Sequence, residues 1–106
     1  MKRYMKFLEL ADRIEFNCDQ SCITLLEKIA VQESIGQPLT VNHAMGLTSI
    51  ASPATLHRRL DLLRDAGYIN HVFKENNRRT KHLVTTHRAD TYFKALEQCL
   101  VHSLGD

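Results

Sequence analysis

Residues 52–67 read SPATLHRRLDLLRDAG and carry the signals of a complete helix. Ser52 can accept a hydrogen bond from an unpaired backbone N–H, and Pro53 has no N–H to leave unpaired, so a helix is predicted to begin there. Gly67 supplies the left-handed residue that ends it. Three leucines recur at the spacing that places side chains on one side of a helix: Leu56, Leu60 and Leu63. The pattern predicts a helix over 52–66 with one face in the core.

The outer face of this helix differs between its two halves. The second half carries Asp61 and Asp65, which would repel an anionic surface. Small, polar or cationic residues occupy the first half, where Ala54 and Arg58 are predicted to point away from the core and Thr55 and His57 to lie on the flanks. The positive end of the helix dipole lies at the same end. This asymmetry is typical of a recognition helix that enters a DNA major groove by its N-terminus.

Composition indicates one globular domain over residues 1–106, with 43% hydrophobic and 25% charged residues. No apolar stretch is long enough to span a membrane, and the first 13 residues are too charged for a secretory signal. A cytoplasmic protein without membrane association is therefore predicted. Three cysteines without a CxxC motif offer no disulfide framework, and we expect thiols in a reducing compartment.

Positive charge is concentrated in one part of the chain. The whole chain has a formal net charge of +2, but residues 52–88 contain eight Lys or Arg and three Asp or Glu. A basic segment in a nearly neutral chain is expected of a surface that binds nucleic-acid phosphates. The alternative is a solvated, charge-rich hairpin.

Three helices are predicted before residue 52. Residues 2–16 place apolar side chains on a helical spacing among charged ones and predict an amphipathic helix. Asp19 can cap a second helix that Gly36 stops, and Thr40 can cap a short helix after it. The second helix is predicted to turn an apolar face inward: Cys22, Leu25, Leu26, Ile29 and Ala30.

After residue 67 the apolar residues no longer follow a helical spacing. Residues 68–73 are β-prone, residues 74–79 (KENNRR) are rich in turn formers, and residues 80–86 (TKHLVTT) are β-branched again. The pattern predicts a β-hairpin with a basic tip.

Thr86 can cap a last helix over 87–104. Its apolar stripe is wider than packing on one side requires: Tyr92, Phe93, Leu96, Cys99, Leu100 and Leu104. The helix over 2–16 also needs a surface on which to bury its stripe. We therefore predict a homodimer assembled from residues 2–16 and 87–104.

The segments LTVNHAMGLTSIASPATLHRRLDLLRDAGYI and ENNRRTKHLVTTHRA resemble the DNA-binding core of MarR-type transcriptional regulators, over about residues 22–90. The resemblance implies a mainly α fold with a small β-hairpin. That fold is a winged helix-turn-helix, with the DNA-binding core and wing over 39–86 and dimerisation helices at both ends. It also implies a recognition helix over 52–66 in the major groove and a basic wing, 74–81, on the adjacent minor groove or backbone.

Several positions match the family pattern and others depart from it. Ser52 and Thr55 match the family's Ser-x-x-Thr at the start of the recognition helix. By resemblance Arg79 would enter a minor groove or lie on a phosphate. Asn77 stands where the family has an aspartate before this arginine, and Thr85 stands where it has a leucine.

Ten residues are the candidate DNA contacts: Ser52, Ala54, Thr55, His57, Arg58, Arg59, Lys74, Arg78, Arg79 and Lys81. Two of them have a competing interpretation. His57 can pair with Asp61 four residues on. Arg59 lies nearer the core, which favours a phosphate contact or an intramolecular pair over base readout.

Motifs for other functions are weak. The chain has no Gly-rich phosphate loop, no nucleophile elbow and no carboxylate pair in an apolar setting, so no enzyme and no cofactor are predicted. Its histidines and cysteines lack metal-ligand spacing, and no pattern identifies a small-molecule effector. Cys18 or Cys22, near a helix start, could sense oxidants, although Cys22 also fits the core.

The sequence thus predicts a homodimeric regulator of transcription that binds double-stranded DNA. The alternative is a winged-helix module that binds an acidic protein partner through the outer face of the 52–66 helix.

Overall fold

The computed structural model describes residues 2–14, 16, 18–74 and 77–105, without the side chain of Asn77. Its elements follow in chain order: α1 (Lys2–Asp12), α2 (Gln20–Ser34), α3 (Val41–Met45), α4 (Pro53–Asp65), β1 (Ile69–Lys74), β2 (Asn77–Thr85) and α5 (His87–Leu104). No described helix combines the length and apolar character needed to cross a bilayer.

The first helix is shorter than the predicted 2–16. It ends at Asp12, and the next two N–H groups, those of Arg13 and Ile14, bond three residues back instead of four. Phe16 lies beyond the helix and packs against the rings of Tyr68 and Tyr92, at centroid distances of 4.8 and 4.5 Å. The last apolar residue of the predicted helix therefore packs in the core, although it lies beyond the end of α1.

The predicted caps of the next two helices are confirmed. Asp19 accepts a hydrogen bond from the N–H of Cys22 at the start of α2, and Thr40 accepts one from the N–H of His43 at the start of α3. Helix α2 ends before Gly36, whose φ of +80° is left-handed. Its apolar face lies at the centre of the core, where four side chains are buried: Cys22, Leu25, Leu26 and Ile29.

Helix α4 occupies the span predicted for it. Ser52 accepts a hydrogen bond from the N–H of Thr55, and the three predicted core leucines are buried. At the other end, Tyr68 N–H donates to the carbonyl of Leu63 and Gly67 N–H to that of Arg64. This pair of bonds is a Schellman motif, and it requires the positive φ of Gly67, +85°. The motif sets the direction in which the chain leaves α4 and enters the hairpin.

The hairpin is anchored to the core on both sides. Strands β1 and β2 pair antiparallel, with Ile69 opposite Thr85 and His71 opposite Leu83. Ile69 and Leu83 are fully buried. The N–H of Leu83 also donates to the carbonyl of Leu39, so β2 is hydrogen-bonded to the segment that leads into α3.

The start of helix α5 is hydrogen-bonded to the turn that follows α4. Thr86 accepts from the N–H of Ala89 as its cap and donates its hydroxyl proton to the carbonyl of Gly67. The guanidinium of Arg88 donates to the carbonyl of Ala66 and lies 4.8 Å from the ring centroid of Tyr68. Arg88 thus belongs to the turn after α4 and not to the basic surface.

Helices α1 and α5 pack on each other and leave an apolar surface uncovered. Six apolar side chains on these helices are between 44% and 62% exposed, and we refer to them together as the terminal patch: Tyr4, Met5, Leu8, Leu100, Val101 and Leu104. Residues of this type rarely stay exposed together on a monomer.

Candidate nucleic-acid interface

The first half of α4 presents a connected row of polar side chains. The Ser52 hydroxyl donates to Thr55 Oγ1 at 3.0 Å, and Arg58 Nη2 donates to the same oxygen at 3.3 Å. Arg58 is exposed, as are Ala54 and His57. The hydroxyl of Thr55 therefore orients the Arg58 side chain along the outer face of the helix. The guanidinium N–H groups that do not contact Thr55 can donate to a ligand.

The acidic side chains in the second half of α4 pair with basic side chains of the same helix. His57 Nδ1 lies 3.3 Å from Asp61 Oδ2, which is the intramolecular pair considered for His57. Arg64 lies 3.6 Å from the other oxygen of Asp61 and 3.9 Å from Asp65. The cationic character of the outer face is thus strongest near Arg58.

Arg59 is paired with a residue far away in the chain. Its Nη2 lies 2.5 Å from Asp19 Oδ2 and its Nε lies 3.1 Å from Asp19 Oδ1. The pKa of Asp19 falls from 3.8 to about 2, chiefly because the Ser21 hydroxyl donates to it and then because Arg59 and the Cys22 N–H do. Of the alternatives for Arg59, the structure contains the intramolecular pair. The pattern around Arg59 could not identify Asp19 as its partner, because the two residues are 40 positions apart.

The wing differs from the predicted hairpin in its register. Phe73 pairs with Lys81, but the next pair joins Lys74 to Asn77, so β2 has three residues between these pairs where β1 has none. The expectation of a turn over 74–79 and a second strand over 80–86 was wrong: β2 begins at Asn77, and Arg78 and Arg79 lie in a bulge within it. Bulges redirect side chains, and polar turn formers do not reveal them in a sequence.

The bulge displays cations beside the start of α3. Arg78, Arg79 and Lys81 are exposed, and Lys74 is exposed on the opposite strand. Arg79, Thr80 and Lys81 line one side of a small pocket, and residues 40–42 line the other. The side chain of Asn77, and with it the predicted replacement for the family's aspartate, lies outside the described residues.

One contact missed by sequence reasoning holds the base of the wing. Glu33 accepts hydrogen bonds from Thr85 through both the backbone N–H, at 2.9 Å, and the hydroxyl, at 3.1 Å. Thr85 is the residue that stands where the family pattern has leucine. Its hydroxyl is therefore satisfied by a carboxylate on α2, and the two residues are 52 positions apart.

The expectation that all three cysteines are thiols was wrong. Cys18 and Cys22 form a disulfide with their Cα atoms 5.7 Å apart, and Cys99 is free. That separation lies within the usual range for a disulfide. The structure brings the pair together because the chain turns at Asp19 just before α2 begins, so a spacing of four residues closes without a CxxC motif. Within the described ranges, no three His, Cys, Asp or Glu side chains cluster as metal ligands would.

No family model and no curated protein matches the chain. Solved structures do match it. Among them, the transcriptional regulator Tm0710 from Thermotoga maritima has a TM-score of 0.72 at 14% identity, over 97% of this chain and 68% of the other. AbfR in its disulfide-formed state has a TM-score of 0.52 at 21% identity, over 92% of this chain. This chain spans 62% of AbfR, less than two thirds of its length.

These likenesses establish the class of fold. The protein is a winged helix, with five helices and a two-stranded hairpin among its described residues. The sequence's resemblance to MarR-type regulators predicted a winged helix-turn-helix, and the likeness to these two structures confirms that fold.

Proposed function

We propose that the protein is a transcriptional regulator that binds double-stranded DNA in a sequence-specific manner as a homodimer. Helix α4 lies in the major groove with Ser52, Ala54, Thr55, His57 and Arg58 toward the bases and backbone. The wing residues Lys74, Arg78, Arg79 and Lys81 contact the adjacent minor groove or phosphates. Arg59 supports α4 from the side, with a phosphate contact as its further role.

One observation carries this proposal. Helix α4 buries Leu56, Leu60 and Leu63 and exposes Arg58, which donates to Thr55, away from them, while a bulge exposes Arg78 and Arg79 on the neighbouring hairpin. A helix of about 10–12 Å diameter fits the major groove, and a cationic hairpin beside it supplies phosphate contacts. The described residues offer no comparable arrangement for catalysis, so we propose a binding protein without enzymatic activity, working in the cytoplasm.

Selection of bound duplexes from a random pool tests this function. We expect enrichment of a palindromic site, because a two-fold dimer presents the same helix to each half. Binding of the unselected pool should collapse between low and moderate salt. If no duplex is retained even at low salt, the protein is instead the interaction module, and the outer face of α4 binds an acidic protein.

Arg79→Ala should weaken binding to selected and random duplexes alike and reduce the salt slope by about 1, as the loss of one phosphate contact would. Fluorescence anisotropy across a salt series measures both quantities. Arg13→Ala is the matched control, since it removes the same charge from an exposed site beyond α1. A loss confined to one base position would make Arg79 a reader of sequence instead.

Deletion of residues 1–13 should lower the molecular mass measured by light scattering or cause aggregation, because it removes half of the terminal patch. This truncation retains Phe16, whose ring packs in the core. Met5→Glu, which places a charge in the patch, should also favour the monomer, and Lys2→Glu should not. A soluble monomer both before and after these changes would reject the dimer.

A redox-sensing regulator is the second candidate, and the Cys18–Cys22 disulfide favours it. Disulfides in reducing compartments are usually transient and serve catalysis or sensing. In a cytoplasmic DNA-binding protein, such a pair would be oxidised or reduced according to the balance of thiols and disulfides in the cell.

A further inference from the structure

We propose that Asp19 is a positioning residue that holds the recognition helix through Arg59, and that the Cys18–Cys22 disulfide keeps Asp19 in place. DNA affinity then depends on the redox state of this cysteine pair. The inference rests on the proposed DNA-binding function and names how that function is regulated.

The disulfide encloses Asp19. Cys18 precedes it, and Cys22 lies three residues after it in the first turn of α2. Cys22 is fully buried within the core, whereas Cys18 is partly exposed. The bond therefore ties the segment before the helix to a fixed point in the core, and Asp19 lies within the closed loop.

Both oxygens of Asp19 are engaged from this position. Oδ1 accepts from the Cys22 N–H at 3.0 Å, from the Ser21 hydroxyl at 2.6 Å and from Arg59 Nε at 3.1 Å. Oδ2 accepts from Arg59 Nη2. The carboxylate thus caps α2 and binds a planar guanidinium in two places at once. A two-point contact of this kind sets orientation as well as distance.

This contact acts on the part of α4 that carries the candidate base reader. Arg59 directly follows Arg58 and directly precedes the buried Leu60. The leucine face fixes how deeply α4 lies in the core, and the Asp19 contact restrains its rotation from the flank. A small rotation would redirect Arg58, since successive side chains are about 100° apart around the helix.

Reduction would release this restraint. The thiolate of a low-molecular-weight thiol attacks Sγ of Cys18, the partly exposed residue of the pair, the S–S bond breaks and Cys22 leaves as a thiolate that takes a proton. A second thiol then displaces the first from Cys18. Two thiols are oxidised to one disulfide, and the cysteine pair gains two electrons and two protons. Residue 18 is then no longer tied to the core, and Asp19 gains conformational freedom that weakens its hold on Arg59.

The test uses the full chain carrying Cys99→Ser, which removes the third thiol. Alkylation and mass spectrometry first establish that the purified protein holds the pair as a disulfide and that dithiothreitol reduces it. Anisotropy with a fluorescein-labelled duplex from the selection then compares the two states. We expect the oxidised protein to bind about five- to tenfold more tightly, at the low end of coupling between sites. Hydrogen exchange should show α4 amides less protected after reduction.

Asp19→Asn separates positioning from folding. Asparagine caps helices as well as aspartate does, so α2 is retained while the charged partner of Arg59 is lost. We expect the oxidised variant to bind like the reduced parent and to respond little to dithiothreitol. Asp12→Asn, the same charge change on α1, should behave like the parent, and circular dichroism checks that each variant is folded.

Three results would overturn the proposal. They are a cysteine pair that is never oxidised in the purified protein, equal affinity of the two redox states, and a redox response that survives Asp19→Asn. Absence of DNA binding in every state would instead reject the proposed function. In that case hydrogen exchange of the α4 amides still decides whether the disulfide restrains the helix. Equal protection of these amides in the oxidised and reduced protein would reject the restraint as well.

Discussion

Leu63→Ala is expected to lower the free energy of unfolding by about 2–5 kcal/mol, the cost of removing a buried leucine and leaving a cavity. The Leu63 side chain is fully buried, and its carbonyl accepts the Tyr68 N–H that turns the chain from α4 into the wing. Domains have total stabilities of about 5–15 kcal/mol, so the substitution removes a large share. Urea denaturation followed by circular dichroism measures the loss.

Leu62→Ala is the matched control for this prediction. It is the neighbouring leucine on the same helix, but its side chain is 38% exposed. Its replacement should cost about 1 kcal/mol or less, as is usual at exposed positions. Equal losses for the two variants would mean that the face of α4 assigned to the core is not the one that stabilises the fold.

Arg58→Lys is expected to relax sequence preference at one base pair in each half-site while preserving most of the affinity for random duplex. An arginine on the outer face can donate two hydrogen bonds to O6 and N7 of guanine, a contact worth ~1–3 kcal/mol of discrimination. Lysine keeps the charge and loses the planar fork. Lysine also has no guanidinium for Thr55 Oγ1 to orient along the helix.

Parallel selections with the parent and the variant test this expectation. The half-sites should lie about one helical turn, ~34 Å, apart in a two-fold dimer. Arg64→Lys is the control, because Arg64 lies in the second half of α4 beside Asp61 and Asp65. Identical logos for the parent and Arg58→Lys would show that Arg58 contacts phosphate and does not read a base.

Local signals predicted much of this fold correctly. The four helix caps Asp19, Thr40, Ser52 and Thr86 all accept the predicted backbone hydrogen bonds. Each of these interactions joins residues three positions apart, so the chain contains the whole signal within one short segment. The class of fold follows from the order of these elements, and the likeness to solved winged helices confirms it.

The wing was predicted as an element but not in its detail. β-branched runs on either side of polar residues are enough to indicate a hairpin. Register depends on which residues pair across the strands, and here the pairing leaves Arg78 and Arg79 in a bulge. The DNA contacts assigned to these arginines stay predictions until binding is measured.

Residues a few positions apart carry the signals for the helices, their caps, the left-handed turn at Gly67 and the polar outer face of α4, so these features were predictable. The contacts of Asp19 with Arg59 and of Glu33 with Thr85, and the end of α1, became visible in the folded chain alone. The two contacts join residues 40 and 52 positions apart. Charged and polar side chains have many possible partners along a chain, and the packing of α2 against α4 and β2 selects among them.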